Sequence, residues 1–165
     1  MNIIKAKKIT KDNFSKYGSF CDLYKPETMG LGAGSPSAFY PDAITFNFGA
    51  GKNTSVCVCH VEKRDMVITT VEYHDNTCEG ILSLDADIVI FAGFGFKPYV
   101  QNELEAFIVP AGTVVKINPG VLHGTQFPAY ADKATVLVML PERTFATDVK
   151  LDMLEGADQI RIELE

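Results

Sequence analysis

The sequence predicts an all-β protein, a sandwich or closed barrel of short strands carrying one or two short helices. Three observations predict it. Apolar and polar residues alternate in eight to ten short runs along the chain, the period of half-buried strands. Thirteen Gly and eight Pro punctuate the intervals between them. No amphipathic stretch of more than about ten residues keeps the 3.6-residue period of a long helix. At 165 residues the length fits a single domain over 1–165.

Taken in order, residues 10–17 predict a short helix: Thr10 can cap the first free N–H groups, Phe14 and Tyr17 give an apolar stripe, and Gly18 ends it. Residues 25–41, rich in Pro, Gly and Ser, predict a loop long enough to cover a cavity. Ile44, Phe46 and Phe48 then alternate with Thr45, Asn47 and Gly49, predicting a strand before a Gly-rich turn at 49–53. Val56, Val58 and His60 form one face of the next strand, which predicts His60 as a core histidine beside the two valines. Cys57 and Cys59 share the opposite face as small core residues. Further strands are predicted at 66–73, 87–92, 105–109, 113–117 and 135–140. A short helix is predicted near 148–154, and a last alternating run is Ile160-Arg-Ile-Glu-Leu164.

Composition excludes several classes of function. Apolar types make up 47% and charged types 22%, ordinary for a globular domain and inconsistent with disorder. The net charge is −6, the pI is near 5.1, and no basic cluster exceeds the 5–8 segment. Such a surface repels nucleic acid and anionic lipid, so neither is an expected partner. The basic start has no apolar segment behind it, so it does not read as a secretory signal, and no apolar run approaches a bilayer span. Cys21, Cys57, Cys59 and Cys78 lack metal-type or redox-type spacing. They read as reduced thiols of a cytoplasmic protein.

The chemistry is concentrated around the three histidines, His60, His74 and His123. Glu72-Tyr73-His74 sets two donor side chains on one face of a strand, and the turn-forming 75–78 segment can return Glu79 to the same mouth. Far along the chain, Pro110-Ala-Gly112 opens a strand, and His123 follows Asn118-Pro119-Gly120. A barrel gathers such distant side chains into one concave pocket. His74, Glu79, His123 and Glu72 would supply nitrogen and oxygen ligands suited to Zn, Mn, Fe or Ni. Lys116, near the end of its strand, is positioned to neutralise a substrate carboxylate.

This spacing resembles the two-part signature of the cupin superfamily. Its first motif appears as Glu72-Tyr73-His74, four residues, Glu79, then six residues to Ala86. Its second fits at Gly112, Gly120 and His123. The resemblance implies a jelly-roll barrel. Within cupins the chain resembles the ureidoglycolate lyase family in four stretches: Ile9-Thr10-Lys-Asp-Asn-Phe14-Ser-Lys-Tyr17-Gly18, Glu72-Tyr73-His74, Ala106-Phe107-Ile108-Val109 and Leu122-His123. It departs from that family where Glu79 replaces Gln, Asn118 replaces His and Gly124 replaces the second of two paired histidines.

The resemblance implies cleavage of ureidoglycolate, or a related α-hydroxy acid derivative, to glyoxylate and urea in allantoin breakdown, by a homodimer. His123 and Glu79 would form the acid–base pair, with Glu72 and His74 anchoring metal or substrate and Asn118, Lys116 and Tyr73 contacting substrate. The exposed edges of a jelly roll also favour dimerisation, with the Ile160–Leu164 tail extending a neighbour's sheet. Two other readings remain open: a metal-dependent sugar isomerase or epimerase, favoured by the extra carboxylate of Glu79, and a non-catalytic small-molecule-binding cupin.

Overall fold

A computed structural model describes residues 1–32, 36–95 and 103–165, so positions 33–35 of the expected 25–41 loop lie outside the described residues. The strands, in chain order, are β1 (Asn2–Lys8), β2 (Gly18–Asp22), β3 (Thr54–Glu62), β4 (Val67–Ile68), β5 (Thr70–Tyr73), β6 (Glu79–Ser83) and β7 (Ile88–Gly93). They continue with β8 (Leu104–Val109), β9 (Thr113–Ile117), β10 (Phe127–Pro128), β11 (Lys133–Pro141), β12 (Lys150–Met153) and β13 (Ile160–Leu164). Helical structure is limited to short pieces, α1 (Lys11–Phe14), α2 (Thr144–Thr147) and a 3-10 turn at Gly156–Asp158.

One sheet has six strands in the order β10-β7-β8-β1-β13-β4, the other five in the order β2-β9-β6-β11-β3, and β5 pairs with β12 as a separate ribbon. Crossed connections between two packed layers, the first mixed because β1 runs parallel to both β8 and β13 and the second antiparallel, make the jelly-roll architecture expected from the sequence. Alternate residues of the two sheets meet in one core: Ile88, Ile90 and Phe107 from the first pack with Ile81, Val115 and Val136 from the second. The opposite face of the first sheet is also buried, with Val89, Phe91 and Ala106 joining Val71 and Leu154 in a second core. That double burial explains why β7 is an unbroken apolar run instead of an alternating one.

The predicted N-terminal helix forms. Thr10 accepts from the Asn13 backbone N–H while the Asn13 side chain accepts from the Thr10 N–H, a reciprocal cap. The helix delivers Phe14, fully buried, edge-on to Phe107 at 5.2 Å between ring centroids. Tyr17 follows, and its hydroxyl donates to Glu105 Oε2 at 2.7 Å, with Lys16 paired to the same carboxylate. Burial first, and then the hydrogen bond to Glu105, push the Tyr17 phenol from its ordinary 10.0 to about 12. Between those values the unfolded chain gives up this proton and the folded chain keeps it, so folding stability falls as pH rises. Chemical denaturation from pH 9 upward is expected to show a stability loss beginning near pH 10 that Tyr17→Phe removes.

Four expectations are corrected. Residues 44–48 are irregular coil: Phe46 and Phe48 stack at 5.4 Å, and the Phe46 ring lies over Gly80, so their apolar period serves to cover the second sheet. Residues 150–153 form a strand where a helix was expected, because their backbone pairs antiparallel with β5. The Val56–Val58–His60 face is exposed, both valines at 59%, because β3 is an edge strand whose core side carries Cys57, Cys59 and Val61. His60 is therefore not a core histidine. The Ile160–Leu164 tail pairs parallel with β1 along its length, and its other edge is taken by β4 at Ile160 and Arg161 and by the Met66 carbonyl at Ile162, so most of the edge expected to meet a neighbour is used within the chain. The strands at 2–8, 18–22 and 79–83 were not anticipated.

Candidate active site

Three side chains from three parts of the chain converge inside the fold. Glu79 opens β6, where it shares a face with the core residue Ile81, and so points between the sheets. His74 follows β5, and the 75–78 turn folds back so that His74 Nε2 lies 3.0 Å from Glu79 Oε2. His123 is held beside β5 by two backbone hydrogen bonds exchanged with Glu72, each 2.8 Å. Its Nε2 lies 3.3 Å from the same Glu79 oxygen. His74, Glu79 and His123 are exposed by only 2%, 4% and 2%. Their ligand atoms lie within 4.8 Å of one another, a donor set able to hold a metal ion.

Both imidazoles are oriented from behind. Nδ1 of His74 bonds to the Asp148 carbonyl at 2.8 Å, and Nδ1 of His123 to the Val121 carbonyl at 2.9 Å. A carbonyl only accepts, so each Nδ1 carries its proton, leaving each Nε2 as the nitrogen that faces Glu79. Asp148, which sequence reasoning missed, does more than this. Its carboxylate accepts from the backbone N–H groups of Asp75 and Asn76, at 3.0 and 2.9 Å, and from the Asn76 side chain. It thereby shapes the turn that brings Glu79 back to His74. No local pattern around Asp148 marks it, since its partners lie more than seventy residues away.

The electrostatics follow from this packing. Burial opposes ionisation of Glu79, but the charge of His123 and the hydrogen bonds from both imidazoles outweigh it and hold the carboxyl down at about 2. Burial likewise opposes the charged form of His123, and the Glu79 carboxylate, with help from the Val121 carbonyl and Glu72, reverses the sign and raises it. Glu72 is pushed upward, chiefly by burial. The centre therefore holds an ionised Glu79 beside a His123 whose protonated form that carboxylate stabilises.

Two cavities adjoin this centre through its chain neighbours. The larger, about 700 Å3, is lined by Glu72, Thr70, Gly124, Phe127, Arg64 and others, and His60 contributes to its rim. The smaller, about 240 Å3, is lined by Asn76, Cys78, Lys116 and Asn118. Of the side chains singled out from the sequence, the structure thus brings His74, Glu79 and His123 together, and sets Glu72 at the larger cavity. It separates Lys116 and Asn118 from Glu72 by placing them at the smaller one. Tyr73 packs against the second core. The four cysteines are all free thiols, as expected.

Among solved structures, the chain is similar to oxalate decarboxylase from Bacillus subtilis, at 17% identity over 66% of this chain and 26% of that one, with a TM-score of 0.44. The same enzyme determined at pH 4.6 matches at 17% identity over 58% of this chain and 23% of that one, with a TM-score of 0.41. The chain thus spans about a quarter of the length of these structures. No curated protein matches it. No helix among the described residues is long and apolar enough to cross a membrane. The family described as ureidoglycolate lyase matches residues 1–163, and with a capped Phe14–Tyr17 start, a Glu72–His74 strand and a buried His123 all in place, the chain belongs to that family.

Proposed function

We propose that this protein is a cytoplasmic, homodimeric lyase acting as one unit over 1–165, which cleaves ureidoglycolate to glyoxylate and urea. The observation that carries the reading is the convergence of His74, Glu79 and His123 on one buried point inside a member of this family. In the reaction the carbinol hydroxyl loses its proton, its oxygen electrons form the aldehyde C=O, and the C–N bond breaks toward nitrogen. The departing nitrogen takes up one proton and leaves as urea. Glu72, partly buried at the larger cavity and with its pKa raised, would receive the hydroxyl proton. His123, whose protonated form the Glu79 carboxylate favours, would protonate the leaving nitrogen. Glu79 keeps that charge in place and His74 braces Glu79.

The donor set also fits a divalent ion. With both Nδ1 atoms protonated toward carbonyls, the two Nε2 atoms face one carboxylate oxygen and are the nitrogens available to a cation. His74 Nε2, His123 Nε2 and Glu79 would hold it. Zn, Mn, Fe or Ni suits such nitrogen and oxygen ligands. Bound there, it would occupy the His123 nitrogen that otherwise carries the acidic proton, and would supply Lewis-acid polarisation of substrate oxygens in place of proton donation by His123.

The test is product stoichiometry. Purified protein given racemic ureidoglycolate is expected to release urea and glyoxylate in equal amounts with no ammonia. Release of ammonia, or no release at all, contradicts the reading. A metal-dependent sugar isomerase draws support from the same carboxylate, Glu79, and would show itself as interconversion of a sugar without urea release.

A further inference from the structure

The larger cavity carries a cation that the proposed chemistry has not used. Arg64 lies beyond the end of β3, and its guanidinium sits over the Phe127 ring at 4.1 Å. One terminal nitrogen donates to the Glu62 carbonyl at 3.2 Å and the other to the Gln126 carbonyl at 2.9 Å. Two carbonyls and an aromatic face hold the group still, yet none of them neutralises its charge. Among the described residues no carboxylate pairs with Arg64, and Cys59 is the one titratable side chain that acts on it. Neighbouring Lys63, by contrast, is paired with Asp132. An arginine has five N–H donors, so the fork retains free donors after these two bonds, in the planar arrangement that a carboxylate accepts.

Its location gives the charge a purpose. Arg64 and Glu72 line the same cavity, and the segment that holds Arg64, through the Gln126 carbonyl and the Phe127 ring, is the continuation of His123 through Gly124 and Thr125. Glu72 is in turn bonded to His123 by both backbone groups. A fixed cation and the acid–base side of the centre thus belong to one cavity, tied together by five consecutive residues, 123–127. Lys116 does not share this cavity.

We propose that Arg64 is the carboxylate anchor of the substrate site, holding an α-hydroxy acid in the larger cavity by a forked, charge-assisted pair of hydrogen bonds. The proposal rests on the lyase reading for the identity of the acid, but not for the site itself. The experiment is calorimetric titration of the full chain with glycolate and with its neutral isostere glycolamide. It compares the natural protein with Arg64→Gln, Arg64→Lys and Lys116→Gln. Loss of a charged hydrogen-bonding pair is expected to weaken glycolate about ten- to hundredfold in Arg64→Gln. Glycolamide binding should not change. Arg64→Lys, which keeps the charge without the fork, should fall between, and Lys116→Gln should bind glycolate like the natural protein. With ureidoglycolate as substrate, Arg64→Gln should raise KM and leave kcat close to its original value. Glycolate binding that is absent in the natural protein, indifferent to Arg64, or lost in Lys116→Gln overturns the assignment. Glycolate binding that depends on Arg64 in a protein that releases no urea upholds the site and defeats the lyase reading instead.

Discussion

His123→Ala is expected to remove about 10²–10⁴-fold of the turnover with ureidoglycolate, the usual contribution of a placed acid or base. The same change should cost roughly 3–5 kcal/mol of folding stability, because it strips a buried carboxylate of one of its two partners. The structure forces that second expectation: Glu79 is 4% exposed, and His123 lies 3.3 Å from it. His123→Gln separates the two effects. An amide can still donate to Glu79 but cannot transfer a proton, so stability should recover in part while turnover does not. Steady-state kinetics and urea denaturation of the three proteins check both halves. Turnover that survives in His123→Ala would remove His123 from the chemistry.

Phe107→Ala is expected to give the largest purely structural loss, about 3–5 kcal/mol by chemical denaturation. Phe107 is fully buried in β8, edge-on to Phe14 at 5.2 Å and to Tyr17 at 5.8 Å. Truncation would leave a cavity where α1, the Tyr17 segment and the core between the sheets meet, and rigid strands on both sides cannot close it. The same deletion at exposed Phe145, which is 67% accessible, should cost little. A small loss at Phe107 would mean that the N-terminal helix does not pack on the barrel as described.

Much of this was legible in the residues. The period-two runs at 105–109, 113–117 and 135–140 became β8, β9 and β11 because each must bury one face against the opposite sheet. The Thr10 cap was legible because capping is a contact between residues three apart. The His74, Glu79 and His123 set could be found because the donors are few and a turn stands between the first two. What was not legible depends on partners distant in sequence. Alternation at Val56, Val58 and His60 says that two faces differ, not which one meets the core, and β3 turns that face outward from a sheet edge. The Ile44-x-Phe46-x-Phe48 period is equally real, yet those rings serve as a lid on Gly80, a position whose missing side chain makes the space. Asp148 and Arg64 escaped notice for the same reason, since each acts through backbone groups that only the fold brings near.

The most direct test of the central claim is urea and glyoxylate release from ureidoglycolate, measured on the protein as purified, after chelation, and after Zn, Mn, Fe or Ni is added back. Release is expected, and His123→Ala should abolish it with or without added ions. Suppression by chelation and recovery with one ion assigns a metal to His74, Glu79 and His123, and full release from chelated protein assigns proton donation to His123. No release under any condition, or release that survives in His123→Ala, would contradict the account.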